Sequence, residues 1–218
     1  MNNPYVVHRG VHLTNLYERY FLPQLLDFAC GGKPIQKQRE KVVPKASGVV
    51  LEVGIGSGQN LPFYNPDHIE LIYGLEPSAE MRAIAAPLVQ ESGLPVEFID
   101  LPGEEIPLPD NSVDTVLLTY TLCTIVDRAG ALQQMKRVLK PNGRLIFCEH
   151  ARAPDEPIIK WQDRLNPIWR PMAGGCCMNI DILGHIAAAG FHIVEQHNMY
   201  LPSTPKVLGY NVWGVATP

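Results

Sequence analysis

From position 49 onward, short apolar runs alternate with segments of helical spacing. VVLEV at 49–53, ELIYGL at 70–75, VEFI at 96–99, VDTVLL at 113–118 and RLIFCE at 144–149 are β-branched, nearly continuous apolar runs. Strands buried on both faces read this way, and their alternation with helices predicts a parallel sheet covered by helices. Ser78 is placed to cap one intervening helix. Asp127 opens another, which runs through Leu132, Met135, Val138 and Leu139 to a turn at Lys140, Pro141, Asn142 and Gly143. Beyond His150 the pattern loosens into a Pro- and Trp-rich stretch. It resumes with a helix from about Ile180 to Ala189 stopped by Gly190, the run FHIVEQHNM, and a last strand near Tyr210 to Ala216.

Upstream of the sheet, Leu13, Leu16, Tyr17, Tyr20 and Phe21 fall at helical spacing, and Pro23 restarts a helix carrying Leu25, Leu26 and Phe28. The basic stretch from Lys33 to Lys45 predicts a short solvated helix ending at Pro44. The expectation is one domain over residues 46–218 preceded by a helical extension, residues 1–45.

The composition suits a packed globular chain, 46% hydrophobic and 18% charged. A net charge of −4 supplies no electrostatic pull toward nucleic acid. No signal peptide is legible, and no apolar stretch reaches the roughly 18 residues of a membrane span, so no integral membrane segment and a cytoplasmic location are expected. The five cysteines are an odd count, expected as thiols. Cys176 and Cys177 are adjacent, a poor geometry for a bridge and not a zinc-ligand spacing, so no metal site is expected.

The chemistry begins at VVLEVGIGSGQN, where a strand runs directly into Gly54, Gly56 and Gly58. Glycine is needed where backbone approaches a ligand closely or takes positive φ. A dinucleotide fingerprint would carry another glycine or alanine where Gln59 stands, and Glu52 suits an ammonium-bearing ligand better than a pyrophosphate. GLEPS then ends the second strand with Glu76, an acid able to accept both hydroxyls of a ribose. Gly103 and Glu104, in LPGEEIPLPDNSVD, are expected to border an adenine; the other reading is a surface turn.

EVGIGSG, GLEPS, GEEIPLPDNSVD and LKPNGRLIFCEH, in this order, resemble the class I S-adenosylmethionine-dependent methyltransferases. NLPFY, TYTLC, CEHARAP and GGCCMNIDIL are most similar to the small-molecule thiol methyltransferases and their bacterial relatives. The resemblance spans about residues 45–217. It implies a Rossmann-like α/β fold, a seven-stranded, mostly parallel sheet with an antiparallel last strand and helices on both faces. It also implies S-adenosylmethionine as cofactor, with Glu52, Gly54, Gly56, Gly58, Gln59 and Asn60 around its methionine end, Glu76 and Pro77 at the ribose and adenine, and Thr119 nearby. Pro102 stands where many relatives carry an acid for the adenine amino group, which leaves that task to Gly103, Glu104 or backbone.

On the acceptor side, Thr119, Tyr120, Leu122 and Cys123 follow the fourth strand and Glu149 and His150 end the fifth, at the edge where open sheets bind ligands. His150 is the candidate base or acceptor-orienting group, with Tyr120 as the second catalytic candidate; the other reading of His150 is structural. Cys123 reads as a packed apolar residue, and Cys176 and Cys177 as a structural turn or part of an acceptor pocket. Trp161, Trp169 and Met172, with Tyr17 and Tyr20, are candidates for an apolar lid. The expected reaction is methyl transfer to a small or lipid-like molecule, thiol sulfur first. A non-catalytic cofactor-binding protein and a nicotinamide-dependent oxidoreductase are the rivals.

Overall fold

The computed structural model describes residues 21–218, so the expectations for Leu13, Leu16, Tyr17 and Tyr20, like those for the side chains of Leu26 and Phe28, lie outside the described residues. Two helices lead in, α1 (Leu22–Cys30) and α2 (Lys33–Val42), before the strands β1 (Gly48–Val53) and β2 (Ile69–Leu75). Then follow α3 (Ala79–Ser92), β3 (Val96–Ile99), β4 (Val113–Thr119), α4 (Arg128–Val138), β5 (Leu139–His150), α5 (Glu156–Met172), α6 (Ile182–Ala188), β6 (His192–Tyr200), the single turn α7 (Lys206–Gly209) and β7 (Tyr210–Thr217).

The seven strands form one sheet in the order β3-β2-β1-β4-β5-β7-β6. The pairings from β3 through β5 are parallel, and β7 runs antiparallel to both β5 and β6. This is the α/β architecture expected from the alternation. Because side chains alternate across a strand, the central strands feed two cores. Leu51, Val53, Val116, Leu118, Leu145 and Phe147 face one side, beneath Leu132, Met135, Ile182 and Ile186 of α4 and α6. Val50, Ile72, Leu117, Ile146 and Cys148 face the other, beneath Val42 of α2 with Leu88 and Val89 of α3.

The expected caps are present. Ser78 accepts a hydrogen bond from Met81 N–H, and Asp127 accepts one from Gly130 N–H. The expected turn at Lys140–Gly143 lies inside β5 rather than before it. Val113 pairs with Leu139 and Thr115 with Arg144, so residues 140–143 bulge out between two paired segments. Lys140 Nζ holds both oxygens of Asp114 at 2.8 Å across that bulge.

The basic helix α2 departs from expectation. Its composition implies a solvated helix, yet Gln38, Arg39 and Val42 are buried. Ile35, Arg39 and Val42 occupy one stripe, at i, i+4 and i+7, and that stripe lies over the carboxyl edge of the sheet. Of the lid candidates, Trp169 turns inward to a cavity, whereas Trp161 and Met172 are 53% and 60% exposed. Gln162, on the inward side of α5, is buried; its Oε1 accepts from Ala153 N–H, and its Nε2 donates to the carbonyls of Ala151, Met178 and Val207. Among the described residues, no helix is long and apolar enough to cross a membrane.

Candidate active site

The carboxyl ends of β1, β2, β4 and β5 open onto a cavity of about 510 Å³, roofed by α1, α2, the inner face of α5 and the segment before β7. That volume is in the range of small-molecule sites. β1 ends in the glycine loop. Gly54 has φ +73°, and a Cβ there would stand 2.5 Å from the side chain of Thr121. Gly56 has φ +56° and faces the cavity. The loop is tied to the sheet by Gly54 and Ile55 N–H, which donate to Leu75 O.

Glu76 follows β2 and lines the cavity beside the loop. Its Oε1 accepts from Ser78 N–H at 2.8 Å, and Arg82 donates to its carbonyl. Burial raises its pKa against the backbone hydrogen bonds that favour the charged form.

Beneath the loop lies a buried polar network that sequence reasoning did not assemble. Arg39 donates from one nitrogen to Asn60 Oδ1 (2.5 Å) and Thr119 Oγ1 (3.0 Å), and its guanidinium lies 5.4 Å from the centre of the Tyr120 ring. Asn60 Nδ2 donates to Glu52 Oε1 (2.8 Å), and Tyr64 donates to Glu52 Oε2 (2.6 Å). Burial pushes the Glu52 carboxyl up to about 7, even though Tyr64, Asn60 and Arg39 all favour its charged form. Both carboxylate oxygens of Glu52 are thus engaged one layer behind the cavity wall.

At the far end of the cavity, Tyr120 leaves β4 with φ +54°, a strained conformation for a bulky residue. Its N–H donates to Cys148 O and its hydroxyl to Asn211 Oδ1 (2.7 Å), bonds that hold the turn. Burial first, and then Cys148, drive the Tyr120 pKa well above the usual tyrosine value, which leaves the phenol a proton donor and no base. Glu149 Oε1 accepts from Thr121 and Leu122 N–H (2.8 and 3.1 Å), and its other oxygen, also buried, has no partner among the described residues.

His150 Nε2 lies 3.0 Å from Cys176 Sγ, which is 3.5 Å from Cys123 Sγ. The hydrogen bond with Cys123 holds the Cys176 pKa down to about 4 against burial, with His150 adding to the effect. Burial alone would lower His150, but Cys176 outweighs it and raises the imidazole. Cys176 and His150 both face the cavity, where Trp169, Ala173, Leu201 and Leu208 supply apolar wall and Thr124, Ser203, Thr204 and Asn211 supply polar groups.

Of the residues expected at the site, Gly54, Gly56, Gln59, Glu76, Thr119, Tyr120 and His150 line this one cavity. Glu52, Gly58, Asn60, Pro77, Gly103 and Glu104 do not. Glu52 and Asn60 belong to the layer behind it, and Gly58 is packed toward Leu61 and Ala85. Gly103 packs on Ile125 and Val53, and Glu104 accepts from Asp127 N–H at 3.3 Å. Cys176 joins the cavity wall and Cys177 does not; its sulfur contacts Gly175 O. Arg39 and Thr121 were missed as contributors, and Glu149, expected at the pocket edge with His150, is absent from the cavity lining and holds the turn after β4. For Arg39 a signal existed, its place between Ile35 and Val42 on a helix otherwise read as basic and solvated.

A glycine loop at the switch point of a doubly wound sheet, an acid ending the next strand and a cavity over both define a nucleotide-cofactor site. A model of the methyltransferase domain matches residues 51–147. Human thiol S-methyltransferase TMT1B is 31% identical over 174 residues, 75% of this chain and 71% of that protein. Phosphatidylethanolamine N-methyltransferase of Cereibacter sphaeroides is 30% identical, over 67% of this chain and 71% of the relative. The crystal structure of YcgJ from Bacillus subtilis superposes with a TM-score of 0.61 at 21% identity, covering 80% of this chain and 75% of that one. The chain belongs to the S-adenosylmethionine-dependent methyltransferases.

The residues present fit that cofactor. Gly56 leaves open the place a side chain would fill, Glu76 offers a carboxylate to the cavity, and the buried Arg39 Nε has no hydrogen-bond partner among the described residues. Bound there, S-adenosylmethionine supplies an electrophilic methyl on a sulfonium sulfur. The chain's own task is to align an acceptor with that methyl and to exclude water.

Proposed function

We propose that the methyl acceptor is the sulfur of a small, apolar thiol. The observation that carries this is the far wall of the cavity. Its titratable groups are His150 and Cys176, already bonded to each other, Tyr120, whose hydroxyl is committed to Asn211, and Cys30, whose thiol burial pushes up. An alcohol acceptor would need a free strong base. A thiol, with an unperturbed pKa of about 8.5, ionises enough near neutrality to do without one. The relatives named thiol S-methyltransferase support the same acceptor.

In this reading the backbone of Gly54 and Gly56, with Gln59 and Glu76, holds the cofactor, and Thr119 braces Arg39 beneath it. Glu52 and Asn60 position that layer from behind, while Gly58, Pro77, Gly103 and Glu104 shape the surrounding turns. His150 and Tyr120 orient the acceptor against the apolar wall. Within the extension of residues 1–45, α1 and α2 act as a lid, since their Cys30, Pro34, Ile35 and Arg39 face the cavity. Five free thiols suit a reducing compartment, and we place the protein in the cytoplasm.

The test is to incubate the protein with S-adenosylmethionine and panels of thiols, amines, phenols and phospholipids, reading S-adenosylhomocysteine and the methylated product by mass spectrometry. Methyl thioethers from small apolar thiols are expected. Turnover confined to amines, phenols or phospholipids overturns the reading.

A further inference from the structure

Cys123, His150 and Cys176 come from three separate elements, the turn after β4, the end of β5 and the turn after α5. One potential ligand atom from each, two sulfurs and an imidazole nitrogen, lie within 4.8 Å of one another. Sγ to Sγ is 3.5 Å and Nε2 to the Cys176 sulfur is 3.0 Å. A tetrahedral zinc with bonds of about 2.3 Å to sulfur and about 2.0 Å to nitrogen spaces its ligand atoms roughly 3.5 Å apart. The sulfur–sulfur and Cys176–His150 separations therefore stand within about half an ångström of that spacing, and the Cys123–His150 separation, no more than 4.8 Å, has at most roughly 1.3 Å to close.

The supporting backbone is built. Cys177 N–H donates to Cys123 O, joining the two cysteine turns, and Cys176 N–H donates to Ala173 O. Arg128 donates to the carbonyls of Leu122 and Cys123 and braces the first turn. Two thiolates and a neutral imidazole neutralise a dication, so occupying this apolar end buries no net charge. Sulfur and imidazole ligands select zinc over magnesium or calcium. His150 and Cys176 face the cavity while Cys123 lies behind them, which leaves the fourth position directed into the acceptor chamber.

We propose that Cys123 Sγ, Cys176 Sγ and His150 Nε2 bind a zinc ion whose fourth ligand is the sulfur of the acceptor thiol. This role rests on the thiol reading above. Three protein ligands and one exchangeable position is the arrangement of catalytic rather than structural zinc, and a thiol coordinated to zinc is deprotonated outright. The acceptor thiol displaces a metal-bound water, and its proton leaves with solvent. A lone pair of the metal-held sulfur forms the new bond to the methyl carbon as the sulfonium carbon–sulfur bond breaks, that pair remaining on the departing thioether. No electron is gained or lost by the metal, and the methyl thioether, a poorer ligand than the thiolate, dissociates.

The experiment uses the full chain, stripped with a chelator and kept reduced with a phosphine, and titrates it with Zn²⁺ against a chromophoric chelator. One zinc per chain is expected. Cys176→Ser and Cys123→Ser should each weaken binding by about a hundredfold or more, beyond the loss of an outer-shell partner, while Cys177→Ser leaves it unchanged. Circular dichroism checks each fold. Because Cys123 is buried and its variant is at risk of misfolding, Co²⁺ loaded into the unaltered protein gives a second measure. A thiolate-to-cobalt charge-transfer band and a tetrahedral spectrum that shifts on adding mercaptoethanol are expected. Failure to bind Zn²⁺, undiminished binding in Cys176→Ser, or a cobalt spectrum indifferent to thiol overturns the site. Metal-stripped protein that methylates thiols at full rate also overturns it while leaving the thiol reading intact. Zinc binding with no methyl thioether from any thiol overturns the thiol reading instead, and with it this role for the metal.

Discussion

Arg39 and Asn60 are joined by a 2.5 Å hydrogen bond under the glycine loop, linking a helix that precedes the sheet to the turn that follows its first strand. The bond puts a guanidinium two steps from Glu52, through the Asn60 side chain, and ties α2 to the wall of the cavity.

Replacing Arg39 with Met keeps the apolar stem but leaves Asn60 Oδ1 without its donor and removes the cation nearest Glu52 on this network. A loss of about 1–3 kcal/mol in stability is expected, the cost of an unsatisfied buried group, limited because Glu52 can take up a proton. Urea denaturation measures it. Calorimetry on the same variant should show weaker S-adenosylmethionine binding, and a variant as stable and as avid as the parent would remove Arg39 from the site.

Glu76 presents its carboxylate to the cavity beside the glycine loop. Glu76→Ala should weaken S-adenosylmethionine binding by about 1.5–3 kcal/mol, as expected for hydrogen bonds to a charged group. Isothermal titration on the folded variant decides it, and an unchanged dissociation constant would place the ribose elsewhere.

Glu52 predicts a pH dependence. Its carboxyl is raised from 4.5 to about 7 in the folded chain, chiefly by burial. Between those values the folded state holds a proton that the unfolded state gives up, so stability from this group is complete below about pH 4.5 and lost as pH rises through 7. Glu52→Gln keeps the shape and lets Tyr64 accept from the amide. Denaturation curves from pH 4.5 to 8 should therefore fall less steeply with pH for the variant than for the parent; parallel curves would mean that Glu52 does not titrate in this window.

Most of the fold was legible because it rests on local regularities. Continuous β-branched runs mark strands buried on both faces, and Ser78, Asp127 and Gly190 mark helix ends through bonds spanning only a few residues. The Lys140–Gly143 turn was legible as a turn but not as a bulge, since only the partner strand shows that pairing resumes at Arg144. Gly54, Gly56 and Glu76 were legible for the same local reason, each standing where a strand ends.

What the sequence by itself determined, then, is the succession of strands and helices and the glycine loop and acid that line one edge of the cavity, because backbone geometry and apolar periodicity act over neighbouring residues. Tertiary structure alone decided the rest. Arg39 reads as one more solvated base until α2 is laid over the sheet edge and Thr119, 80 positions away, accepts its hydrogen bond. Cys123 and Cys176 read as a packed residue and a turn until the ends of β4 and α5 bring their sulfurs 3.5 Å apart across 53 positions, beside His150. Contacts of that range follow from how elements pack, and no local spacing encodes them.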